Sequence, residues 1–337
     1  MDKKLTIKEI AELAGVSVAA VSYTLNGKKG VSEETRKRIL DTISSTNYTP
    51  NVNSRRLILK RSFNILLVID GNDSPLNNFF YIAVINSIVK QAAGKGYNIV
   101  LATVNSADDT TVLENMLMQR NADGIIFLSD ISSKLQGEIE EIGTPFVVID
   151  SQKKAPPYPS VHADYTVAAE CAVSHLTCNG HTKIAMLASD SIPEYFICTF
   201  EGYKQALSKA GLSVCPEFIH SSALDEDSVK NCIDTLLALP EPPSAIFCTS
   251  DIIAVDAMNH LQKRGYKVPD DFSVCGIDDI VLARYHFPSL TTVHIDKDAM
   301  GRLAVDMLDK LINGERVEDI VLSSCDLIVR DSVRAKN

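Results

Sequence analysis

Residues 6–27 read TIKEIAELAGVSVAAVSYTLNG and contain two short helical patterns separated by a tight, glycine-containing turn. Thr6 and Glu9 have the spacing of a capping box, which predicts that a first helix starts after Thr6 and stops at Gly15. Ser17 can cap a second helix, and Asn26-Gly27 is a typical helix stop. The segment therefore predicts two helices that meet at a sharp angle.

A third apolar periodicity predicts a bracing helix from Ser32 to Thr46, with Ile39, Leu40 and Ile43 turned inward. Two short helices joined by a tight turn and braced by a third form the helix-turn-helix pattern, whose second helix enters the major groove of DNA. The outward positions of the second helix are candidates for base and phosphate contacts: Ser17, Val18, Ala19, Ser22, Tyr23 and Asn26. A helical hairpin in a protein-interaction module is the alternative interpretation.

The charge distribution separates this head from the rest of the chain. The 337 residues carry a formal net charge of -10, yet residues 1–61 hold twelve Lys/Arg against six Asp/Glu. The head is therefore net +6 and the remainder net -16. A basic segment on an acidic body is typical of a protein whose head binds a polyanion. The composition, with 45% hydrophobic and 23% charged residues, excludes a largely disordered chain.

Beyond Phe63, apolar strand patterns alternate with amphipathic helices. The predicted strands cover 64–70, 97–103, 123–129 and 145–150 in a first series and 183–189, 244–248 and 272–276 in a second. The predicted helices cover 79–96, 165–179, 199–211, 226–238 and 251–264. Continuous Ile/Val/Leu strands between helices indicate parallel sheets covered on both faces, so two series predict two α/β lobes. A ligand is expected in the cleft at the carboxyl ends of the strands.

Several other classes of protein are excluded or disfavoured. No apolar run reaches the ~18–20 residues that span a bilayer, and the N-terminus has no apolar signal core, so we expect a cytoplasmic protein without a membrane partner. The eight cysteines form no Cys-x-x-Cys pair and are expected to be free thiols. His175, Cys178 and His181 resemble a soft metal set, but Asn179-Gly180 stops the helix between them. We therefore expect no metal and no cofactor.

The same residues carry a resemblance to a known family. Residues 6–27, VSEETRKRIL at 31–40 and NYTPN at 47–51 closely resemble the DNA-binding head of the lac repressor/gal repressor family. HLTCNGHTKIA at 175–185 and VPDDFSVCGIDD at 268–279 extend the resemblance through the body. It implies a small all-α helix-turn-helix head on a two-lobed, periplasmic-binding-protein-like α/β body.

The implied bounds are 1–48 for the head, 49–61 for a hinge helix and 62–337 for effector binding and dimerisation. The lobes would cover about 62–161 with 294–323, and about 162–293 with 324–337.

The resemblance also implies which residues contact DNA and effector. In the head and hinge it adds Thr6, Asn51, Arg55 and Leu57 to the outward positions already named, with Leu57 as a wedge between base pairs in the minor groove. In the cleft it indicates Phe80, Tyr81, Asp150, Thr199, Ser250, Asp251, Asp278 and Lys297.

Four of these positions depart from the family pattern. Tyr23 stands where an arginine that can bind guanine bidentately is common. Thr199 and Ser250 replace an arginine and an asparagine that clamp the ligand, and Lys297 replaces an aromatic residue. Lys297 would restore a positive charge as a point donor. The sequence therefore predicts an atypical effector, or a partner protein in its place.

The resulting hypothesis is a sequence-specific transcriptional regulator, most simply a repressor. One recognition helix reads only a few base pairs, so we expect a homodimer on a near-palindromic double-stranded operator. A small sugar-like or related effector would change lobe closure and hence DNA affinity. The alternative is an α/β metabolite-processing enzyme with a nucleic-acid-binding head, which would need a catalytic constellation that the sequence does not display.

Overall fold

The structure is a computed structural model that describes residues 5–25, 29–46, 61–70, 77–104, 118–119, 121–153, 155–189, 192–222, 225–323 and 326–336. The chain divides into two compact units, Met1–Phe63 and Asn64–Asn337, which are taken separately below. The DNA-contact predictions for Asn26, Asn51, Arg55 and Leu57, and the predicted hinge helix, lie outside the described residues.

The first unit contains the three predicted helices: α1 at Ile7–Ala14, α2 at Val18–Leu25 and α3 at Glu33–Ser45. The capping box at Thr6 and Glu9 is complete, and Gly15 ends α1 in the left-handed conformation (φ 65°). A small core of Ile10, Ala11, Ala14, Val21 and Ile39 holds the helices together. Ile39 is fully buried and Ile43 packs against this core, as predicted, whereas Leu40 is 47% exposed and its predicted inward position is wrong.

The second unit contains twelve strands and eight helices in the described residues. The strands are β1 Asn64–Asp70, β2 Asn98–Val104, β3 Gly124–Phe127, β4 Phe146–Ile149, β5 Ser160–Ala163, β6 Ile184–Ser189, β7 Ile219–Ser222, β8 Ala245–Cys248, β9 Ser273–Asp278, β10 Thr291–His294, β11 Ile320–Leu322 and β12 Asp326–Ile328. The helices are α4 Phe79–Gly94, α5 Ser133–Ile142, α6 Tyr165–Cys178, α7 Pro193–Lys209, α8 Glu226–Leu237, α9 Asp251–Lys263, α10 Val281–Tyr285 and α11 Lys297–Ile312.

The strands form two six-stranded sheets, one in each lobe. The first has the order β11-β5-β4-β3-β1-β2, and the second has the order β12-β10-β9-β8-β6-β7. All neighbours are parallel except β10 and β12. The chain passes between the lobes three times, from β5 to α6, from β10 to α11 and from β11 to β12. Three adjacent crossings form a hinge, and the carboxyl ends of both sheets open toward the cleft beside it.

Two glycines allow close helix packing within the lobes. A Cβ at Gly202 on α7 would lie 2.2 Å from the carbonyl oxygen of Thr166 on α6. A Cβ at Gly301 on α11 would lie 2.7 Å from the carbonyl oxygen of Val84 on α4. Each helix pair therefore crosses at a distance that only glycine permits.

Five of the eight described helices of this unit were predicted from the sequence, whereas α5, α10 and the 16-residue α11 were missed. α7 begins at Pro193, six residues before the predicted start, because proline is well suited to a first helical turn. The expectation of free thiols is wrong for Cys171, which is disulfide-bonded, whereas six other cysteines in the described part of the chain form no disulfide. Within the described residues, no helix is long and apolar enough to cross a membrane.

Candidate functional site

The outer side of α2, with Ser17 just before it, carries five of the ten predicted DNA-contacting residues. Ser17, Val18, Ala19 and Tyr23 are exposed, and Ser22 is half-buried. On the opposite face, Val21 is fully buried in the core of the head. Burial of that face fixes the rotation of α2, so one continuous strip of small, apolar and hydroxylated side chains faces outward. Such side chains can contact thymine methyl groups, base edges and phosphates.

Two of the predicted contact residues also cap helices. The Thr6 hydroxyl accepts the N–H of Glu9 at 3.3 Å, and the Glu9 carboxylate accepts the Thr6 N–H at 2.7 Å. The Ser17 hydroxyl accepts the N–H of Ala20 at 3.2 Å. Both residues therefore stand at helix N-termini, where backbone N–H groups and the helix dipole favour a phosphate.

Asp150 lies directly after β4, at the carboxyl end of the first sheet, with a left-handed φ of 61°. Its carboxylate accepts hydrogen bonds from the hydroxyl of Tyr81 at 3.0 Å and from the hydroxyl of Tyr165 at 2.8 Å. The side-chain amide of Gln152 adds a third at 3.2 Å. Tyr81 is on α4 of the first lobe, whereas Tyr165 opens α6 of the second. The Tyr165–Asp150 bond therefore links the two lobes across the cleft.

Burial raises the pKa of Asp150 to about 7, even though the hydrogen bonds from Tyr165 and Tyr81 oppose the shift. The cause is desolvation of the charged form, and the nearby carboxylate of Asp130 adds to it. This carboxyl group therefore changes its charge near neutral pH.

Asp251 is a fully buried part of the second lobe. Its carboxylate accepts the hydroxyl of Thr292 at 2.5 Å and the backbone N–H of Ile280 at 2.9 Å. A Cβ at Gly276 would lie 2.3 Å from one of its oxygens. Asp251 thus ties the start of α9 to β10 and to the loop after β9. The observed contacts are structural, although burial also raises its pKa to about 7.

Asp278 ends β9 and is 8% exposed. Burial raises the pKa of Asp278 far above its usual range, and the neighbouring carboxylate of Asp251 acts in the same direction. Burial also raises the pKa of Tyr195 on α7, and the charge of Asp278 adds to that shift. The charge of Asp150, directly after β4 of the first sheet, raises the pKa of Asp278 further.

Lys297 reaches this region from the first turn of α11. Its ammonium donates to the carbonyl oxygen of Asp278 and, at 2.9 Å, to that of Ile295. It also lies 5.7 Å from the ring centroid of Phe80. Burial lowers the pKa of Lys297, and the carboxylate of Asp278 opposes that shift. The lysine is therefore bound within the hinge.

Two other residues predicted to contact the ligand, Thr199 and Ser250, use their hydroxyl groups to bind helix backbone groups. The Thr199 hydroxyl donates to the carbonyl oxygens of Tyr195 and Phe196 on its own helix, and the residue is fully buried. Ser250 caps α9 through the N–H of Ile253 at 3.4 Å. Both hydroxyls satisfy helix backbone groups in this structure.

Sequence reasoning missed three contributors to the cleft: Tyr165, Tyr195 and Gln152. Tyr165 packs edge-on against Tyr195 at 4.8 Å between ring centroids, and the Tyr195 hydroxyl donates to the carbonyl oxygen of Thr249. The sequence feature that could have indicated Tyr165 is its position: it follows Asp164, which caps α6 directly after the crossing from β5. Gln152, two residues after a strand end, had the same kind of signal.

Two parts of the sequence match known protein families. Residues 6–51 match the family described as bacterial regulatory proteins, lacI family. Residues 173–333 match the periplasmic binding protein-like domain.

Curated relatives align over almost the whole chain. The ribose operon repressor of Haemophilus influenzae is 31% identical over 97% of this chain and 98% of its own length. The probable HTH-type transcriptional repressor ExuR of Bacillus subtilis is 33% identical over 98% of both. The HTH-type transcriptional repressor PurR of Mannheimia succiniciproducens is 29% identical over 98% of both. These relatives are transcriptional repressors rather than enzymes.

Solved structures show the same fold. A complex of the transcriptional regulator CelR with cellobiose matches with a TM-score of 0.72 at 27% identity, over 98% of this chain and 100% of that one. The lac repressor dimer bound to operator and the anti-inducer ONPF matches with a TM-score of 0.79 at 24% identity, over 99% of this chain and 100% of that one.

Proposed function

This chain belongs to the LacI family of bacterial regulatory proteins and is a DNA-binding transcriptional regulator, and we propose that an effector bound at the Asp150–Asp278 cleft controls its affinity for operator DNA. The observation that carries the proposal is the Tyr165–Asp150 hydrogen bond, which joins the lobes inside the cleft. A ligand that replaces this bond changes the relative stability of open and closed lobes. A change of that kind is the coupling free energy that allostery requires.

The proposed operator contacts are the exposed positions of α2 together with Thr6. Tyr23 would take the place of a guanine-reading arginine, so the preferred half-site would differ at that base pair. Asn26, Asn51, Arg55 and Leu57 remain proposals from the family resemblance. The predicted bounds 1–48, 49–61 and 62–337, and the division into lobes, also stay proposals. The role on DNA implies a cytoplasmic location.

The proposed ligand contacts centre on Asp278, Asp150 and Tyr81, with Phe80 and Lys297 beside the hinge. Asp251, Ser250 and Thr199 would act by holding the walls of the site, because their side chains bind backbone groups or Thr292. Tyr165 and Tyr195 join the proposed set on their geometry.

A homodimer is the proposed working unit. Tyr285 and Phe287 are 76% and 90% exposed, and Val281 adds a third exposed apolar side chain on α10. Exposed apolar patches of this kind mark protein–protein contacts. We expect Tyr285→Asp to dissociate the dimer in analytical ultracentrifugation, whereas Ile197→Asp, at an exposed apolar residue on α7, leaves it intact. A monomeric wild-type chain at micromolar concentration would contradict the dimer.

The DNA-binding proposal is tested by selecting duplexes from a random pool with the purified chain. The selected sites should be near-palindromic and bind at least a thousandfold tighter than a scrambled duplex at about 0.15 M salt. Tyr23→Ala should change the base preference at one position of each half-site. Leu13→Ala, at an exposed residue of α1, is the matched control and should leave the preference unchanged. Equal affinity for selected and scrambled duplexes would refute the proposal.

A further inference from the structure

We propose that Gly30 is a positioning residue for base recognition: it holds the ring of Tyr23 on the surface of the head, so that the Tyr23 hydroxyl reads one base edge in each operator half-site. The inference rests on the proposed operator contacts, since it explains how one of them is made. It follows from the contact between the two residues, from the backbone conformation of Gly30 and from the open hydroxyl of Tyr23.

The ring of Tyr23 lies against Gly30 in the segment before α3. A Cβ built on Gly30 would lie 3.4 Å from Cδ2 and 3.5 Å from Cε2 of that ring. Tyr23 is nevertheless 44% exposed, so the contact covers only part of the side chain. One edge of the ring therefore rests on the chain before α3, and the remainder stays accessible to DNA.

The backbone at Gly30 favours glycine. Its φ is 116°, in the region that L-residues with a side chain rarely adopt. The glycine therefore allows this conformation and also leaves room for the tyrosine ring. An alanine would strain the backbone, and its methyl group would come into direct contact with the ring. Relief of that strain would move the surface on which the ring rests.

The elements around this contact are fixed to one another. The guanidinium of Arg36 on α3 donates to the carbonyl oxygen of Thr24 on α2 at 3.4 Å. Val31 packs against the core of the head, and Ser32 is the N-cap of α3. Gly30 comes directly before these two anchored residues, so its position relative to α2 is well defined.

The Tyr23 hydroxyl is the group that this contact leaves available. It has no hydrogen-bond partner among the described residues, and a phenol can donate to or accept from a base edge. A side chain that is free before binding must be ordered on DNA, and the entropy lost reduces affinity. Because Gly30 restricts the ring beforehand, the hydroxyl loses less entropy on binding and cannot turn freely to a second base edge.

The test compares operator duplexes that differ at one base pair. Binding of the full chain would be measured at about 0.15 M salt to the selected duplex and to the three duplexes changed at the base pair that Tyr23→Ala affects. We expect wild type to prefer its base by about fivefold or more, and Tyr23→Phe, which keeps the ring, to lower that preference below about twofold. Gly30→Ala should lower it by about threefold and leave the preferences at other positions unchanged.

Gly15→Ala is the matched control. Gly15 also has a left-handed φ, 65°, but no atom lies within 4 Å of a Cβ built on it. Both variants should lower the stability of the head in calorimetry, whereas only Gly30→Ala should change the base preference. In the Tyr23→Phe background, Gly30→Ala should change the preference no further, as expected for two residues that act through one contact.

Three outcomes would overturn the inference: a Gly30→Ala head that folds and keeps the full preference, an equal loss of preference in Gly15→Ala, or a Tyr23→Phe variant that discriminates as well as wild type. If Gly30→Ala does not fold, nuclear Overhauser contacts in the wild-type chain decide. We expect them between the Tyr23 ring protons and the Gly30 α protons, and their absence overturns the inference as well. Equal binding of wild type to selected and scrambled duplexes refutes sequence-specific DNA binding itself, whereas discrimination that survives Gly30→Ala refutes the positioning alone.

Discussion

The hydrogen bond from Tyr165 to Asp150 makes a quantitative prediction, because its acceptor titrates near neutral pH. Tyr165→Phe removes one O–H donor at 2.8 Å from a buried carboxyl oxygen and changes little else in shape. At about pH 8.5 Asp150 is ionised, and a hydrogen bond to a charged acceptor contributes about 1.5–3 kcal/mol to the free energy of unfolding. At about pH 5.5 Asp150 is protonated, and the bond contributes about 0.5–1.5 kcal/mol, as between neutral groups.

The direction in which the free energy of unfolding changes with pH follows from the raised pKa of Asp150, about 7. Because folding disfavours the ionised form, the stabilising contribution of this group is present at low pH and lost as pH rises through about 7. The Tyr165 hydrogen bond lowers the pKa of Asp150 and so limits that loss; without it, the decline in stability continues to higher pH and its total is larger.

The assay is scanning calorimetry of wild type and variant at both pH values. For a unit of this size about 1 kcal/mol shifts Tm by roughly 2–4 °C. With about 2 kcal/mol lost at the higher pH and about 1 kcal/mol at the lower, near the middle of each range, we expect Tm losses of about 4–8 °C and about 2–4 °C. Tyr203→Phe is the matched control, since the Tyr203 hydroxyl donates at 2.7 Å to the uncharged carbonyl of Ile184. The decrease in Tm that Tyr203→Phe causes should be the same at both pH values. An equal Tm loss for Tyr165→Phe at both pH values, or a larger one at pH 5.5, would refute the reasoning.

Three further predictions concern the caps, the glycines and the hinge. Thr6→Ala removes the capping box of α1 and should lower the stability of the head by about 1 kcal/mol, measured by urea denaturation; no change would argue against the cap. Gly276→Ala should destabilise the body, because the added Cβ would lie 2.3 Å from a carboxylate oxygen of Asp251. Gly137→Ala has open space around it on α5 and should stabilise the body by up to about 1 kcal/mol. Calorimetry that gives a change of the same sign for both variants would contradict this prediction. Leu57→Ala, outside the described residues, should weaken operator binding and leave binding to random duplex nearly unchanged in a salt-titrated assay; equal losses would refute the wedge.

Local signals were sufficient to predict most of the fold. The capping box at Thr6, the helix stop at Gly15 and the apolar runs of β1 and β9 each act within a few residues, so they can be read directly. The short strands β5, β7, β10, β11 and β12 were not predicted, because each has three or four residues and is stabilised by pairing with distant segments. The exposed position of Leu40, which was predicted to face inward with Ile39 and Ile43, depends in the same way on tertiary packing.

The candidate site was only partly predictable for a related reason. Asp150 and Asp278 could be located because strand ends in α/β sheets meet at one edge. The role of Tyr165 depends on the path of the chain between lobes, and the commitment of Lys297 depends on two carbonyl groups at the hinge. A sequence shows that Lys297 brings a positive charge, but only the contacts show that this charge is already used.

Control of operator affinity by occupancy of the cleft can be measured in one titration. Binding of the full chain to its selected duplex would be measured at fixed salt, with and without a saturating cleft ligand, and repeated with Asp278→Asn and with a scrambled duplex. We expect a 5–150-fold change in Kd on the selected duplex, no change on the scrambled duplex and loss of the effect in Asp278→Asn. A ligand that saturates the cleft but leaves Kd for the selected duplex unchanged would contradict it.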